Sequence, residues 1–519
     1  MRKQIAEHLS TQFPSIRVTV TQAADLREYQ DLVTESLKGS GVKQGTAAER
    51  LCQVFLPSEL AEVVAQNDIG NLLEEVMSAA RNVPAGGSDQ ELASLLATYV
   101  KGLTIDVNKV RAHIMSPQNL QGVFSDKGPT ETNLKFTPIG PVGNRPEFLD
   151  VPAFGVALHD ALQDSVAGYS AEVRQHGEAI FSRNWQSAKR PQDGNENWTS
   201  DVQLHVASVC KLITAMAMTV LMAERGISPD AQIIDYLPDY WAKGPNIEYI
   251  VFRNLFNHTS GIFRKEDGFD FLTMESVIAS GISLDPNAQY HLGGYQYHNL
   301  NYGLFRILLT VMNGNISKSA NFNILGIDLN DLVWDVVTID GYSNFVQTRI
   351  FRPSGVSGAT LDHPAAAGLA YKEPGDTEHG WNSGNLEEIC GSDGWHLSVN
   401  QLLDVMGEFR RGGNIVPAEA AQAMLVNGFG VDPLVNPPYT NPIPFGLLTP
   451  AGEVYCKPGT WYDGIGREEQ ALVYFLPQGM ELAILANSEV AGADPSQQVL
   501  RDIVTQTYLD NLTSQVGNA

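Results

Sequence analysis

The chain has 519 residues, with 43% hydrophobic and 18% charged residues; this length calls for two or more domains and this composition excludes wholesale disorder. Charge is strongly acidic, 34 Lys+Arg against 59 Asp+Glu for a net of −25. The first 150 residues hold 14 of the basic and 18 of the acidic groups, so the acidity belongs to the later part. Such a field repels phosphate backbones and anionic lipid, which excludes nucleic acid and membrane surfaces as expected partners.

In chain order, the start MRKQIAEHLSTQF has two early cations but no apolar core and no small-residue cleavage site, so no secretory signal is read there. No window approaches 18 uninterrupted apolar residues, and no membrane span is expected. The four cysteines, Cys52, Cys210, Cys390 and Cys456, show no paired spacing, which fits a reducing compartment. Together these point to a cytoplasmic protein.

Residues 1–122 read as a helical N-terminal domain. The stretches 57–68, 69–82 and 88–103 carry apolar residues at helical spacing, and IRVTV (16–20) reads as a short strand. Regulatory docking to a protein partner, self-association and packing on the rest of the chain are all open roles for it. Residues 123–147, rich in Pro, Gly and polar residues, read as a linker.

From 148 to 519 the texture changes. FGVALHD (154–160), YSAEVRQHG (169–177) and AIFSRNW (179–185) read as successive antiparallel strands; ALVYFLP (471–477) and MELAILANS (480–488) repeat the pattern around a Pro-Gln-Gly turn. The stretch 496–512 reads as a final amphipathic helix, and roughly 206–430 as helices with long loops. Strands at both ends with helices between predict an α+β domain whose sheet joins its two ends.

The chemistry concentrates at VASVCKLITAMAMTVLMAERG (206–226), apolar on nearly every face, which predicts a buried helix stopped by Gly226. Ser208 lies at its first turn, and Lys211, three residues on, shares its face. Burying an ammonium is costly, and desolvation lowers a lysine's pKa until it can take a proton from a neighbouring hydroxyl. A lone S-x-x-K arises about once by chance in a chain of this length. Ser40-Gly41-Val42-Lys43 is such a copy, set in a polar turn with no buried helix.

What distinguishes Ser208 is the series that follows it: LFNHTSGIF (255–263), YQYHNLNYGLFRILL (295–309), FVQTRIFRPSGV (345–356), CGSDGWHLSVNQLLDVM (390–406) and YCKPGTWYDGIG (455–466). The set, in this order over about residues 150–512, resembles the serine β-lactamase and penicillin-binding-protein superfamily, in the branch of class C β-lactamases, esterases, D-aminopeptidases and transesterases. The resemblance implies a β-lactamase-like fold: an antiparallel sheet flanked by helices, with a helical subdomain. It matches Ser208-Val209-Cys210-Lys211 to S-x-x-K, Tyr297-His298-Asn299 to Y-x-N, and Lys457-Pro458-Gly459 to the K-T-G or H-x-G element.

The chemistry it implies is an acyl-enzyme on Ser208, with Lys211 and Tyr297 sharing the proton and Tyr297 drawn towards phenolate by the nearby ammonium. Asn299 would orient Lys211 and the substrate. The N–H groups of Ser208 and Thr460 would form the oxyanion hole, and Lys457, with Gly459, would face an anionic part of the substrate. Pro458 stands where many relatives have a hydroxyl, which counts against β-lactam turnover. His258 reads as a structural signature near a turn, and the cysteines as buried small residues. No metal or other cofactor is called for. The expected activity is hydrolysis of a small ester, amide or peptide; the alternatives are a biosynthetic acyltransferase or transesterase, or a binding or scaffold protein with a β-lactamase-like domain.

Overall fold

The computed structural model describes residues 148–264, 270–324, 327–328, 330–434, 443–491 and 499–513. The helices and strand expected before residue 123, the linker, and the Ser40–Lys43 copy lie outside them.

The strands are β1 (Phe148–Leu149), β2 (Gly168–Gln175), β3 (Glu178–Lys189), β4 (Glu196–Asn197), β5 (Leu204–His205), β6 (Asn323–Ile324), β7 (Ile327–Asp328), β8 (His396–Leu397), β9 (Leu447–Thr449), β10 (Gly452–Tyr462), β11 (Glu468–Leu476), β12 (Met480–Ala486) and β13 (Leu512–Thr513). The α-helices are α1 (Val151–Leu162), α2 (Cys210–Arg225), α3 (Phe252–Phe256), α4 (Phe271–Ser280), α5 (Leu300–Asn313), α6 (Asn330–Val346), α7 (Val399–Gly407), α8 (Ala418–Val426) and α9 (Val499–Asp510). Seven strands form one sheet in the order β4-β3-β2-β12-β11-β10-β9, every neighbouring pair antiparallel. Tyr169 of β2 faces Ala486 of β12, so the sheet does join the two ends of the domain.

The expected strand at 154–160 is instead helix α1. Asp150 caps it, its carboxylate accepting from the Ala153 N–H at 3.1 Å, and Pro152 occupies the first turn, where its missing N–H costs nothing. Phe154, Leu158 and Leu162, four apart, then fall on one buried stripe. They pack with Leu500, Val504 and Tyr508 of α9 against Tyr169, Ala171, Val173, Leu472, Tyr474, Leu482 and Ile484 of the sheet. Each such apolar side chain contributes about 1.5–3 kcal/mol on burial. On the opposite face, Arg174 of β2 ion-pairs with Asp404 of α7 at 2.6 Å.

The turn between β11 and β12 forms as expected, with Gln478 and Gly479 both in the left-handed region, the geometry that tight hairpins need. Helix α2 follows a 3₁₀ turn (Ala207–Val209) and ends at Gly226 with φ 66°. The stretch Ala207–Arg225 has the length and apolarity to cross a bilayer, and most of it is buried inside the protein.

The described residues Tyr236–Ala242 and Thr310–Gly341 belong to a compact unit separate from the rest. Within it the Trp334 indole donates to the Ala320 carbonyl at 3.3 Å, the Tyr240 hydroxyl donates to Asp331 at 3.0 Å, and Gly341 leaves room for Thr310. The hairpin β6–β7 lies in this segment, inside the insert 315–332.

Strand β11 opens with Glu468, Glu469 and Gln470, all buried in the interior of the sheet. Gln470 donates to the Ser488 carbonyl at 2.6 Å. Burial, reinforced by Glu489, pushes the Glu468 carboxyl up to about 8. The unfolded chain therefore ionises this group near 4.5 while the folded chain resists. Its contribution to stability is full below pH 4.5 and is lost as pH rises to 8. Glu468→Gln is expected to flatten that loss, so thermal unfolding of the full chain from pH 5 to 9 should show the variant gaining on wild type. Parallel profiles would contradict it.

Candidate active site

Ser208 sits in the 3₁₀ turn that leads into α2, preceded by Ala207 at φ 45°. A non-glycine residue in that region stores strain, and here it turns the backbone sharply just before the nucleophile. Ser208 is partly exposed, whereas Lys211 is fully buried.

Three groups converge on the Ser208 hydroxyl. The Lys211 ammonium donates to Oγ at 2.8 Å, and the Tyr297 hydroxyl donates to it at 2.8 Å. Oγ in turn donates to Asp393 Oδ1 at 3.3 Å. Lys211 Nζ also reaches Asp393 Oδ2 at 3.3 Å and the Ser392 carbonyl at 3.0 Å. The buried cation thus has a buried anion and a carbonyl as partners, which such a cation requires.

Asp393 was not singled out from sequence, although the loop that carries it was. The loop is fastened to α2: Thr214 donates to the Gly391 carbonyl at 2.6 Å, and the Trp395 N–H donates to Cys210 Sγ at 3.3 Å. The Trp395 indole and Thr214 both meet the Tyr342 hydroxyl, at 3.2 and 2.7 Å.

Asn299 does not hold Lys211. The polar partners of Lys211 are those just named, and Asn299 Oδ1 is buried without a hydrogen bond. The Asn299 carbonyl accepts the Tyr302 and Gly303 N–H groups at 3.0 Å and so starts α5, fixing the loop that presents Tyr297. The expectation failed because a carboxylate satisfies an ammonium better than an amide does.

Tyr297 is backed by His258, whose ring lies 4.4 Å from its own. His258 is itself buried; it accepts the His298 N–H at 3.3 Å on Nδ1, and its carbonyl accepts the Gln296 N–H at 2.8 Å. The Asn257–Gly261 turn therefore braces the tyrosine loop, as its structural reading implied. Burial, with Lys457 and Lys211 nearby, holds His258 well below the usual imidazole range, hence neutral.

The phenol itself departs from expectation. Burial holds Tyr297 above the ordinary phenol range, with Lys457 pulling down and Asp432 and Asp393 pushing up. It stands as a protonated donor. Lys457 Nζ lies 4.8 Å from the Tyr297 ring centre and Lys211 Nζ 5.4 Å. Lys457 is enclosed and paired with Asp432 at 2.6 Å, so its charge is spent on Asp432 and Tyr297, not offered openly to a substrate anion. Asp432, like Asp393, was missed by the sequence reading.

Strand β10 brings the third motif alongside. A Cβ on Gly459 would lie 2.5 Å from the Val206 carbonyl and 2.8 Å from the Ser208 nitrogen, so only glycine admits this approach. Along β10, Gly452 and Val454 face β9, and the Cys456 carbonyl accepts the Asp432 N–H at 2.9 Å on that same outer edge. Alternation carries the parity on to Pro458 and Thr460. Pro458 therefore loses no bond to β11, and the Thr460 N–H is turned to the outer edge.

The three cysteines among the described residues are buried, and burial pushes the Cys210 and Cys456 thiols up. They fit as small packing residues.

The Beta-lactamase family model matches residues 156–505. Beta-lactamase-like protein 4 of Dictyostelium discoideum is 25% identical over 247 residues, 42% of this chain and 39% of that one. The match therefore spans about two fifths of that relative. Among solved structures, a class C beta-lactamase from Rhodobacter sphaeroides is 16% identical, covering 69% of this chain and 98% of its own, with a TM-score of 0.47. A D-stereospecific amidohydrolase from Streptomyces sp. is 20% identical with the same coverage and a TM-score of 0.47. A beta-lactamase/D-alanine carboxypeptidase from Pseudomonas syringae is 15% identical over 69% of this chain and 98% of its own, with a TM-score of 0.49. With the family's match running through two thirds of its length, from α1 to α9, this chain belongs to the beta-lactamase family.

Proposed function

We propose that this protein is a serine hydrolase that acts through an acyl-enzyme on Ser208. The observation that carries the reading is the placing of Lys211 Nζ and Tyr297 OH, each 2.8 Å from one partly exposed serine oxygen. A structural serine at a helix start needs neither partner.

The steps follow from the groups present. Proton transfer from Lys211 to Asp393 within their buried pair leaves a neutral amine against Oγ. As Oγ attacks the substrate carbonyl, its proton passes to that amine. Tyr297, held as a phenol, gives its proton to the leaving group. The resulting phenolate lies between two ammonium groups, Lys211 and Lys457, which stabilise it. It then takes a proton from the attacking water, and Lys211 returns its proton to Oγ as the acyl group leaves. The N–H groups of Ser208 and Thr460 face the developing oxyanion.

The pairing of Lys457 with Asp432, together with Pro458, favours small esters or amides that lack a carboxylate at that position, over β-lactams. The segment before residue 148 would serve a protein partner or self-association.

A fluorophosphonate probe should add one adduct to the intact mass of wild type and none to Ser208→Ala. A folded wild type that stays unlabelled, or an adduct that persists in the variant, refutes the assignment. Asp393→Asn is expected to lower kcat/KM for a p-nitrophenyl ester by about 100-fold and Lys211→Ala by about 1,000-fold or more. Unchanged rates would remove both residues from the mechanism.

Gly459→Ala should lower kcat by about 100-fold by pushing β10 away from Ser208, the loss expected for one oxyanion donor. Single-turnover acylation measures it, with thermal unfolding separating a displaced strand from a collapsed fold.

A further inference from the structure

We propose that His363, His396 and Glu469 hold one divalent transition-metal ion of the zinc type, with His205 orienting the Glu469 carboxylate. One ligand atom from each of the three lies within 4.8 Å of the others. Two ligands at about 2.0–2.1 Å in tetrahedral geometry sit about 3.4 Å apart, so the side chains, His363 the most exposed of them, would have to draw inward onto the ion.

The second observation is their lack of other partners. His396 and Glu469 are both fully buried. Neither oxygen of Glu469 has a hydrogen bond and His363 Nδ1 has none, while the His396 ring nitrogens lie near the Thr360 and Gly394 backbone without a well-aligned hydrogen bond. Buried polar atoms are nearly always satisfied, and five unsatisfied atoms in one cluster point to a shared ligand. Two imidazoles and a carboxylate suit zinc better than calcium or magnesium.

His205 completes the arrangement. Its Nε2 accepts the Gly394 N–H at 3.1 Å, which puts the ring proton on Nδ1. Nδ1 lies 3.3 Å from Glu469 Oε2, too poorly aligned for a hydrogen bond, and a small turn of the carboxylate onto a metal would align it. Outer-shell donors of this kind commonly orient metal ligands. The His205 ring lies 5.6 Å from that of Trp461, and the charged groups nearest His363 besides Glu469 are Lys189 and Asp362.

The position gives the ion a task. His205 pairs with His396 across β5 and β8, three residues before Ser208 and three after Asp393. Glu469 pairs with Trp461, two residues beyond Gly459 on β10. The ion would tie the segment that follows Asp393 to β11, the neighbour of β10, and to the loop of His363, with His205 linking it to the segment before Ser208. The site is independent of whether Ser208 turns over any substrate, and the acyl chemistry needs no metal.

The test uses the full chain after chelator treatment and dialysis, titrated calorimetrically with zinc chloride. One equivalent should bind, with affinity weakened at least 100-fold in His363→Ala and in Glu469→Gln. Zinc should also raise the thermal midpoint of wild type and leave that of His363→Ala unmoved. The cobalt(II) form of wild type gives a second reading that does not depend on how a variant folds. Ligand-field bands without a thiolate charge-transfer band support imidazole and carboxylate ligation. Thiolate bands, equal binding by wild type and His363→Ala, or no binding by folded wild type would each overturn the proposal.

Discussion

The structure of the site depends on burying one ammonium group. Lys211 is closed off from water inside a helix buried over most of its length, and a bare ammonium there would cost several kcal/mol. The surroundings are arranged to prevent that cost. The loop at 390–395 is bent by glycines at φ 99° and 109°, laid against α2, and made to turn Asp393 and the Ser392 carbonyl towards the lysine. Removing the carboxylate from such a pair leaves a buried charge unmatched, at about 3–5 kcal/mol. The interaction that makes the lysine chemically useful is therefore also one that locks two distant parts of the chain together.

The same economy appears at the second lysine. Lys457 and Asp432 form a pair beside Tyr297, and the tilted His258 ring lies against it. The phenol is enclosed by cations that favour its charged form and by burial that opposes it. Burial prevails at rest, so the charge becomes affordable only once a proton has somewhere to go. This balance separates a tyrosine that waits from one that is already a base.

Much of this was legible in the amino-acid order. The apolar run after Ser208, the glycine that stops it, the alternating strands at both ends and the close glycine of the third motif are local signals, and local signals survive in a sequence. Helix α1 was misread because seven residues were taken without the Asp-Val-Pro start before them, so a capped helix passed for a strand. The carboxylates were missed for another reason. Asp393 and Asp432 lie 182 and 221 positions beyond Lys211, and nothing in the spacing of 59 acidic residues marks which two will be brought to the site. A buried lysine calls for either a lowered pKa or a partner anion; the sequence suggested the first, and only the tertiary structure names the second, Asp393. Asn299 shows the converse: a motif position kept in sequence whose side chain here leaves Lys211 to another partner.

The pairing of β2 with β12 has a consequence for how the molecule comes into being. Ser170 lies opposite Leu485, so one ladder in the middle of the sheet joins residues 315 positions apart. Closing so long a loop costs entropy before any contact repays it, which slows folding and ties β2 to a part of the chain made much later. During synthesis the β2–β3 hairpin must wait with an open edge while the helical middle emerges from the ribosome. The strand that lies against Ser208 arrives later still. A nascent chain would carry its serine and lysine for most of its synthesis in a form that cannot act, and reactivity would switch on with the completion of the sheet.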